Sequence, residues 1–245
     1  MRIKMEFCES NQSKIEAIFS DPQNLQMQLI EKLNDAHVTE EPFPHIFINN
    51  FLPNYFRDLL ISSVSELEFR KYYDGAVPVF HLTEKSPKAL LFFKNCILDD
   101  LLTPFFKSIF SNNDFKKNIE LKNNFENITK LDKAEYGSIY FARNPAGGSI
   151  KMHVDDNFAS FQYVFYFGHK DGSPAPTTDL SLNPQLNIDD YSADINSKNY
   201  FNNGPTNNGV LIFVNSPNSY HGLLSPLNQE RLTLCVSAHY YHKNI

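Results

Sequence analysis

The stretch Lys151-Met152-His153-Val154-Asp155 combines residue types and spacing that could do chemistry. A histidine and a carboxylate two apart on a strand point the same way, because side chains alternate faces. Read as a strand, Ser149, Lys151, His153 and Asp155 share one face, and Ile150, Met152 and Val154 share the other. The first face suits polar chemistry and the second suits a core. Such a pair supplies two of the three protein ligands of a 2-His-1-carboxylate site, which holds Fe(II) with positions left open. The third ligand must be a histidine from elsewhere, and His221 is the candidate.

His221 follows an apolar run, Gly209-Val-Leu-Ile-Phe-Val214, that reads as a buried strand entering a turn. Ten residues later Arg231 opens RLTLCVSAHYY. As a strand, this segment puts Leu232, Leu234, Val236 and Ala238 on one face, and Arg231, Thr233, Cys235 and Ser237 on the other. A buried arginine needs a counter-charge. A dicarboxylate would supply one through a bidentate guanidinium–carboxylate pair.

The elements that must position these groups follow from pattern. Ile15, Ile18, Phe19, Leu25, Leu29, Ile30 and Leu33 recur at helical spacing, interrupted at Asp21-Pro22, which predicts two short helices over 11–36. Glu41-Pro-Phe-Pro-His-Ile-Phe-Ile48 predicts an extended run, and Pro53 sits in the first turn of a helix lined by Phe56, Leu59, Leu60, Val64 and Leu67. A second helical region is predicted over 89–110, kinked at Pro104. Residues 111–132 are polar and Asn/Lys-rich, a surface connection. From Tyr136 onward, strands are predicted near 137–142, 149–155, 161–167, 178–182, 209–214 and 231–241. The 183–208 insert is long for a structureless loop, which marks it as functional or mobile. Helices first and strands afterwards predict an α+β fold, with helices supporting a sheet in one domain spanning 1–245. Its parts are a helical extension (1–40), a helical support region (41–135) and a β core (136–245).

Composition bounds the function. Of 245 residues, 42% are apolar, with 22 Phe and 12 Tyr, enough for a substantial core. The net charge of −6, with no basic block, gives no reason to expect a nucleic-acid partner. Three widely spaced cysteines, Cys8, Cys96 and Cys235, argue against a disulfide framework or a CxxC zinc site. No apolar run has the length of a membrane span and the N-terminus lacks a signal-like segment, so a cytoplasmic protein with no membrane partner is expected.

The order His153-x-Asp155, a distant His221, then Arg231 resembles the Fe(II)/2-oxoglutarate-dependent oxygenases, most closely the prolyl-4-hydroxylase-like branch. The stretch Pro42-Phe-Pro-His-Ile-Phe-Ile-Asn-Asn-Phe-Leu-Pro53 also looks like the start of many bacterial members, so the similarity spans roughly 42–241. The resemblance implies a double-stranded β-helix, a jelly-roll or cupin-like barrel. It implies that His153, Asp155 and His221 bind iron and that Arg231 pairs with the far carboxylate of 2-oxoglutarate. Thr233 and Tyr166 match residues that assist Arg231, and Asn215 matches a polar residue near the open iron position.

Two departures stand out. Arg143 occupies the place of a family tyrosine about ten residues before the first ligand, with Tyr140 nearby in another register. Thr177-Thr178-Asp179-Leu180 stands where a Gly-Gly is usual. The implied activity is a dioxygenase that uses O2, with ascorbate as a support, to hydroxylate an unactivated C–H bond while 2-oxoglutarate becomes succinate and CO2. Retention of Asp155 favours hydroxylation over halogenation. The implied substrate is a polar small molecule, a sugar, or a protein side chain such as proline.

Bland readings stand beside these. His37, His45, His81, His169, His239 and His242 lack matching partners and read as structural or surface residues. Asp156 and Asp189-Asp190 read as solvated carboxylates. A non-catalytic metal- or small-acid-binding module on the same fold is the competing function. A cupin-type metalloenzyme without a keto-acid cosubstrate is a third.

Overall fold

Alternation of side chains on the long strands dictates the architecture. The structure, a computed structural model, describes residues 16–65, 67–71, 78–105, 134–155, 160–183, 200–215 and 218–240. Helices α1 (Gln23–Asn34), α2 (Asn54–Ser65) and α3 (Lys88–Phe92) are joined by eleven strands: β1 (His45–Asn49), β2 (Arg70–Lys71), β3 (Pro78–His81), β4 (Ala134–Asn144), β5 (Ile150–His153), β6 (Ser160–His169), β7 (Asp179–Ser181), β8 (Tyr200–Phe201), β9 (Gly209–Val214), β10 (Tyr220–Leu223) and β11 (Arg231–Tyr240).

The strands form two antiparallel sheets, a large one in the order β1-β9-β6-β11-β4-β3-β2 and a small one in the order β5-β10-β7-β8. From β4 onward the chain passes back and forth between them: β4, β6, β9 and β11 belong to the large sheet, and β5, β7, β8 and β10 to the small one. This is the expected double-stranded β-helix, with two facing sheets that do not close into a barrel.

Each central strand of the large sheet is buried on both faces, for different reasons. Phe161, Tyr163, Phe165 and Phe167 of β6, Val210, Ile212 and Val214 of β9, and Leu234, Val236 and Ala238 of β11 join one core with the helices. The helices answer with stripes at helical spacing: Leu25, Leu29 and Leu33 on α1, and Phe56, Leu60 and Val64 on α2. The opposite face of the same strands looks toward the small sheet and is mixed: Gln162, Thr233 and Ser237 are polar, while Val164, Leu211 and Phe213 join a second, smaller apolar cluster with Leu180 of β7.

The helical region expected over 89–110 is irregular ahead of Pro104, and residues 106–110 lie outside the described residues. Residues Phe93–Leu102 wind as a π-helix, and helix continues over 103–105. The irregularity therefore begins eleven residues before the proline. Residues 111–132, Asp156 and the middle of the insert, 184–199, lie outside the described residues. From β4 onward, two strands were not expected: β8, inside the insert, and β10, which carries His221.

Phe165 is the link between layers, packing against Phe51 at 6.1 Å and edge-on to Phe93 at 5.1 Å between ring centroids. A Phe165→Ala change should cost about 3–5 kcal/mol of stability, because it opens a cavity among fully buried rings. A urea titration followed by circular dichroism measures this. A loss below about 1 kcal/mol would contradict the layer-linking role.

Candidate metal centre

His221 enters the site from β10, which pairs on one side with β5 and on the other with β7. His153 stands directly opposite it on β5. The ring centroids of the two histidines are 4.4 Å apart. Asp155 lies just past the end of β5, with one carboxylate oxygen 3.7 Å from Nε2 of His153 and the other 3.6 Å from Nε2 of His221. Potential ligand atoms of all three residues lie within 4.8 Å of one another. Among the described residues, this is the one cluster of three such side chains.

Local hydrogen bonds set the donor atoms. His153 Nδ1 lies 2.9 Å from the Lys151 carbonyl, and His221 Nδ1 lies 3.0 Å from the Ser219 carbonyl. A carbonyl can only accept, so each Nδ1 carries the proton and each Nε2 lone pair faces the centre. Burial pulls the His221 pKa down, with the Asp155 carboxylate working against that and His153 adding to it. His221 is thus held neutral, as a ligand must be. Asn215 sits behind the centre, fully buried, and its Nδ2 donates to the Asp155 backbone carbonyl at 2.8 Å. It is not among the cavity-lining residues. Its Oδ1 accepts from Ser219 Oγ at 3.3 Å.

Strict alternation along 149–155 does not hold. The β5–β10 register shifts between His221, opposite His153, and Leu223, opposite Ile150. The bulge puts Lys151 and Met152 against Gly222 and shifts the facing by one residue. Ile150 therefore lines the cavity with His153, while Met152 packs with Leu224. Lys151, expected on the polar face, is exposed and away from the cavity.

The centre opens into a cavity of about 420 Å³. Arg231 and Thr233 of β11 line it, as does Tyr140 of β4. Arg231 is 3% exposed. Its Nη1 donates to the Pro176 carbonyl at 2.8 Å, and its Nε and Nη2 donate to Asn144 Oδ1 at 3.4 and 3.2 Å. Among the described residues, no carboxylate forms an ion pair with it. Asp179, which acts on Arg231 through its charge, spends its oxygens elsewhere. It accepts from Tyr200 Oη at 2.5 Å, Asn202 Nδ2 at 2.8 Å and the Leu224 N–H at 2.7 Å.

Tyr166 is placed differently from Arg231. Its hydroxyl donates to Thr178 Oγ1 at 2.7 Å, and Thr178, not Tyr166, lines the cavity. Burial pushes the Tyr166 phenol up to about 12, so it remains a donor near neutrality. Arg143 points out of the site. Its guanidinium donates to the Val64 and Ser65 carbonyls at the end of α2, at 3.3 Å each, and stacks on Phe69 at 4.1 Å. It caps a helix, and Tyr140 is the tyrosine on the cavity face.

Reading residues by type passed over Asn144, Thr178, Gln162, His81 and Cys235, all of which line the cavity. Asn144 pairs directly with Arg231 across β4 and β11. Extending the predicted strand from 142 to 144 would have found it. Burial raises the Cys235 thiol, so it is a neutral wall group and not a thiolate.

The sequence matches no family model and no curated protein. Solved structures do match. A 2OG-Fe(II) oxygenase family oxidoreductase from Burkholderia pseudomallei is 14% identical with a TM-score of 0.52, over 80% of this chain and 84% of that one. A prolyl hydroxylase from Trichoplax adhaerens, in complex with a hypoxia inducible factor peptide fragment, is 11% identical with a TM-score of 0.50, over 91% and 92%. A prolyl-4-hydroxylase from Pseudomonas putida is 15% identical with a TM-score of 0.49, over 87% and 100%. The first two bear out the expected fold, the one used by 2OG-Fe(II) oxygenases including prolyl hydroxylases. Among the described residues, no helix is long and apolar enough to cross a membrane.

Gly222 permits the bulge that sets the ligand pair. A Cβ there would lie 2.6 Å from the Ile150 carbonyl oxygen and 3.1 Å from that of Lys151. Gly222→Ala must push β5 away from β10, moving His153 relative to His221. Calorimetric titration with Mn(II) should show affinity lower by about 10-fold or more, as for other changes that misorient ligands. Unchanged affinity would mean that the strands reseat without moving the donors.

Proposed function

We propose that the chain is an Fe(II)- and 2-oxoglutarate-dependent dioxygenase, acting as one oxygenase domain, that hydroxylates an unactivated C–H bond. The observation that carries this reading is the joint presence, in one cavity, of a His-Asp-His cluster and a buried guanidinium without a carboxylate partner among the described residues. The donor set suits iron: two neutral imidazoles and one carboxylate leave positions open. The cation suits a diacid, because an uncompensated buried charge is costly. Both binding functions are needed by one chemistry.

His153, Asp155 and His221 would hold the metal, and Arg231 would hold the distal carboxylate of 2-oxoglutarate. When bound, iron and 2-oxoglutarate together supply the oxidising power, consuming O2 and yielding succinate and CO2. The chain's own work is orientation. The Lys151 and Ser219 carbonyls fix the imidazole tautomers. Asn215 holds the Asp155 backbone. Asn144 and the Pro176 carbonyl aim Arg231. Beyond Arg231, Asp155 and the histidines, the described wall carries no Asp, Glu, Lys or Arg and is built from groups such as Ile150, Val164, Phe213, Gln162 and Tyr140. That supports a compact, uncharged reacting group, such as a proline ring of a peptide or a neutral sugar. The T. adhaerens relative carries a peptide, which is consistent with the first option.

Under anaerobic conditions, Fe(II) and 2-oxoglutarate together should raise the unfolding temperature more than either alone. Each saturated ligand at 100 times its Kd contributes about 2.7 kcal/mol. His153→Ala should abolish the metal-dependent part. Arg231→Gln, which keeps a donor but loses the charge, should abolish only the part due to 2-oxoglutarate. In air, candidate peptides and sugars should raise succinate release and gain one oxygen by mass spectrometry. Binding of both ligands with no succinate under any condition would instead make the chain a binding module. Activity that survives Arg231→Gln would make it a metalloenzyme without a keto acid.

A further inference from the structure

We infer that the hydroxyl of Thr178, and not that of Tyr166, supplies the neutral hydrogen bond that seats the diacid's distal carboxylate beside Arg231, with Tyr166 acting behind it as a positioning residue. This rests on the oxygenase reading above and assigns a residue within the same site.

The geometry of three groups leads there. Tyr166 is 1% exposed, and its hydroxyl is committed twice: it donates to Thr178 Oγ1 at 2.7 Å and accepts the Thr178 backbone N–H at 3.1 Å. A phenol is a stronger donor than an aliphatic hydroxyl, and its oxygen already accepts the N–H, so the proton between the two side chains belongs to Tyr166. Thr178 Oγ1 is then the acceptor in that bond, and its own hydrogen must point elsewhere. Thr178 lines the cavity and Tyr166 does not.

Arg231 completes the cradle. A guanidinium has five N–H donors. Nε, one hydrogen on Nη1 and one on Nη2 are used by Asn144 and Pro176. One hydrogen on each Nη remains for an incoming carboxylate to accept. Pro176 and Thr178 belong to one short segment, tied down by the reciprocal Ala175–Thr206 backbone bonds at 2.9 Å. The segment that aims the guanidinium therefore also presents the hydroxyl. The Arg231 guanidinium carbon lies 5.9 Å from the centre of the Tyr166 ring.

The test is calorimetric binding of 2-oxoglutarate to Mn(II)-loaded protein, comparing wild type with Thr178→Val, Thr178→Ala, Thr178→Ser, Tyr166→Phe and the Thr178→Val/Tyr166→Phe double variant. A hydrogen bond to a charged group predicts a Kd raised about 10- to 100-fold by Thr178→Val. Thr178→Ala should behave alike and serves if the valine variant does not fold. Thr178→Ser should stay within about 3-fold of wild type, and Tyr166→Phe should fall between these limits. The double variant should bind no worse than Thr178→Val alone, because Tyr166 acts through the hydroxyl already removed. The Mn(II) affinity should be the same in all variants. Given a turnover assay, the KM for 2-oxoglutarate should rise in Thr178→Val with kcat little changed. Wild-type binding retained in both Thr178→Val and Thr178→Ala overturns the assignment. So does a further loss of about 10-fold on adding Tyr166→Phe to Thr178→Val, which would put the phenol on the ligand. Failure of the wild-type protein itself to bind 2-oxoglutarate removes the oxygenase reading, and this inference with it.

Discussion

A guanidinium buried to 3% exposure and met, among the described residues, only by neutral acceptors is the constraint around which the cavity is arranged. Taking a charge out of water costs several kcal/mol unless something returns the lost solvation. Asn144 and the Pro176 carbonyl return part of it. Burial still pulls the Arg231 pKa below its ordinary value, although an arginine keeps its charge throughout the working range. Fold stability alone would have favoured a leucine at the head of β11, as at Leu232, Leu234 and Val236 on its other face. The chain instead carries the strain of a half-answered cation beside three potential metal ligands, an arrangement that an incoming anion would relieve.

The large sheet separates the two demands by parity. Residues of β6, β9 and β11 facing the helices form a continuous aromatic and aliphatic core. Their neighbours one position along face the small sheet and contribute Gln162, Val164, Thr233 and Cys235 to the cavity. Because successive residues alternate faces, the stability of one side is largely decoupled from the chemistry of the other. Helices stiffen the sheet from behind without touching the site.

Parity is also what made so much of the site legible. Runs such as RLTLCVSAHYY and the stretch from Phe161 to Phe167 declare both faces, so Arg231 and Thr233 could be assigned to one wall without coordinates. The His153–Asp155–His221 grouping was legible from residue type and order. Legibility ended where local geometry breaks the alternation. At β5 the bulge opposite Gly222 exchanged Ile150 for Lys151 on the cavity wall. At the end of β4 the strand runs on to Asn144, a residue whose type suggests a turn. Thr178 was visible only as a departure from a glycine pair. That its hydroxyl would stand between Tyr166 and the cavity depends on the path of a loop, and loops carry no periodicity to read.

The histidines show why local structure cannot replace this wider reading. His153 and His221 each give the Nδ1 proton to the carbonyl two residues earlier, and His45 does the same toward Phe43 at 2.9 Å. All three imidazoles therefore present Nε2 outward in one tautomer. At His45 the imidazole packs near the rings of Phe43 and Phe201, and Nε2 has no hydrogen-bond partner among the described residues. At the other two it meets a carboxylate. The same backbone device thus yields a buried core histidine or a potential ligand. What decides between them is which strand lies opposite: β10 and β5 bring two such nitrogens face to face, with Asp155 held beside them by Asn215. Sheet topology, more than the individual residue, converts a common side-chain conformation into a metal-binding geometry.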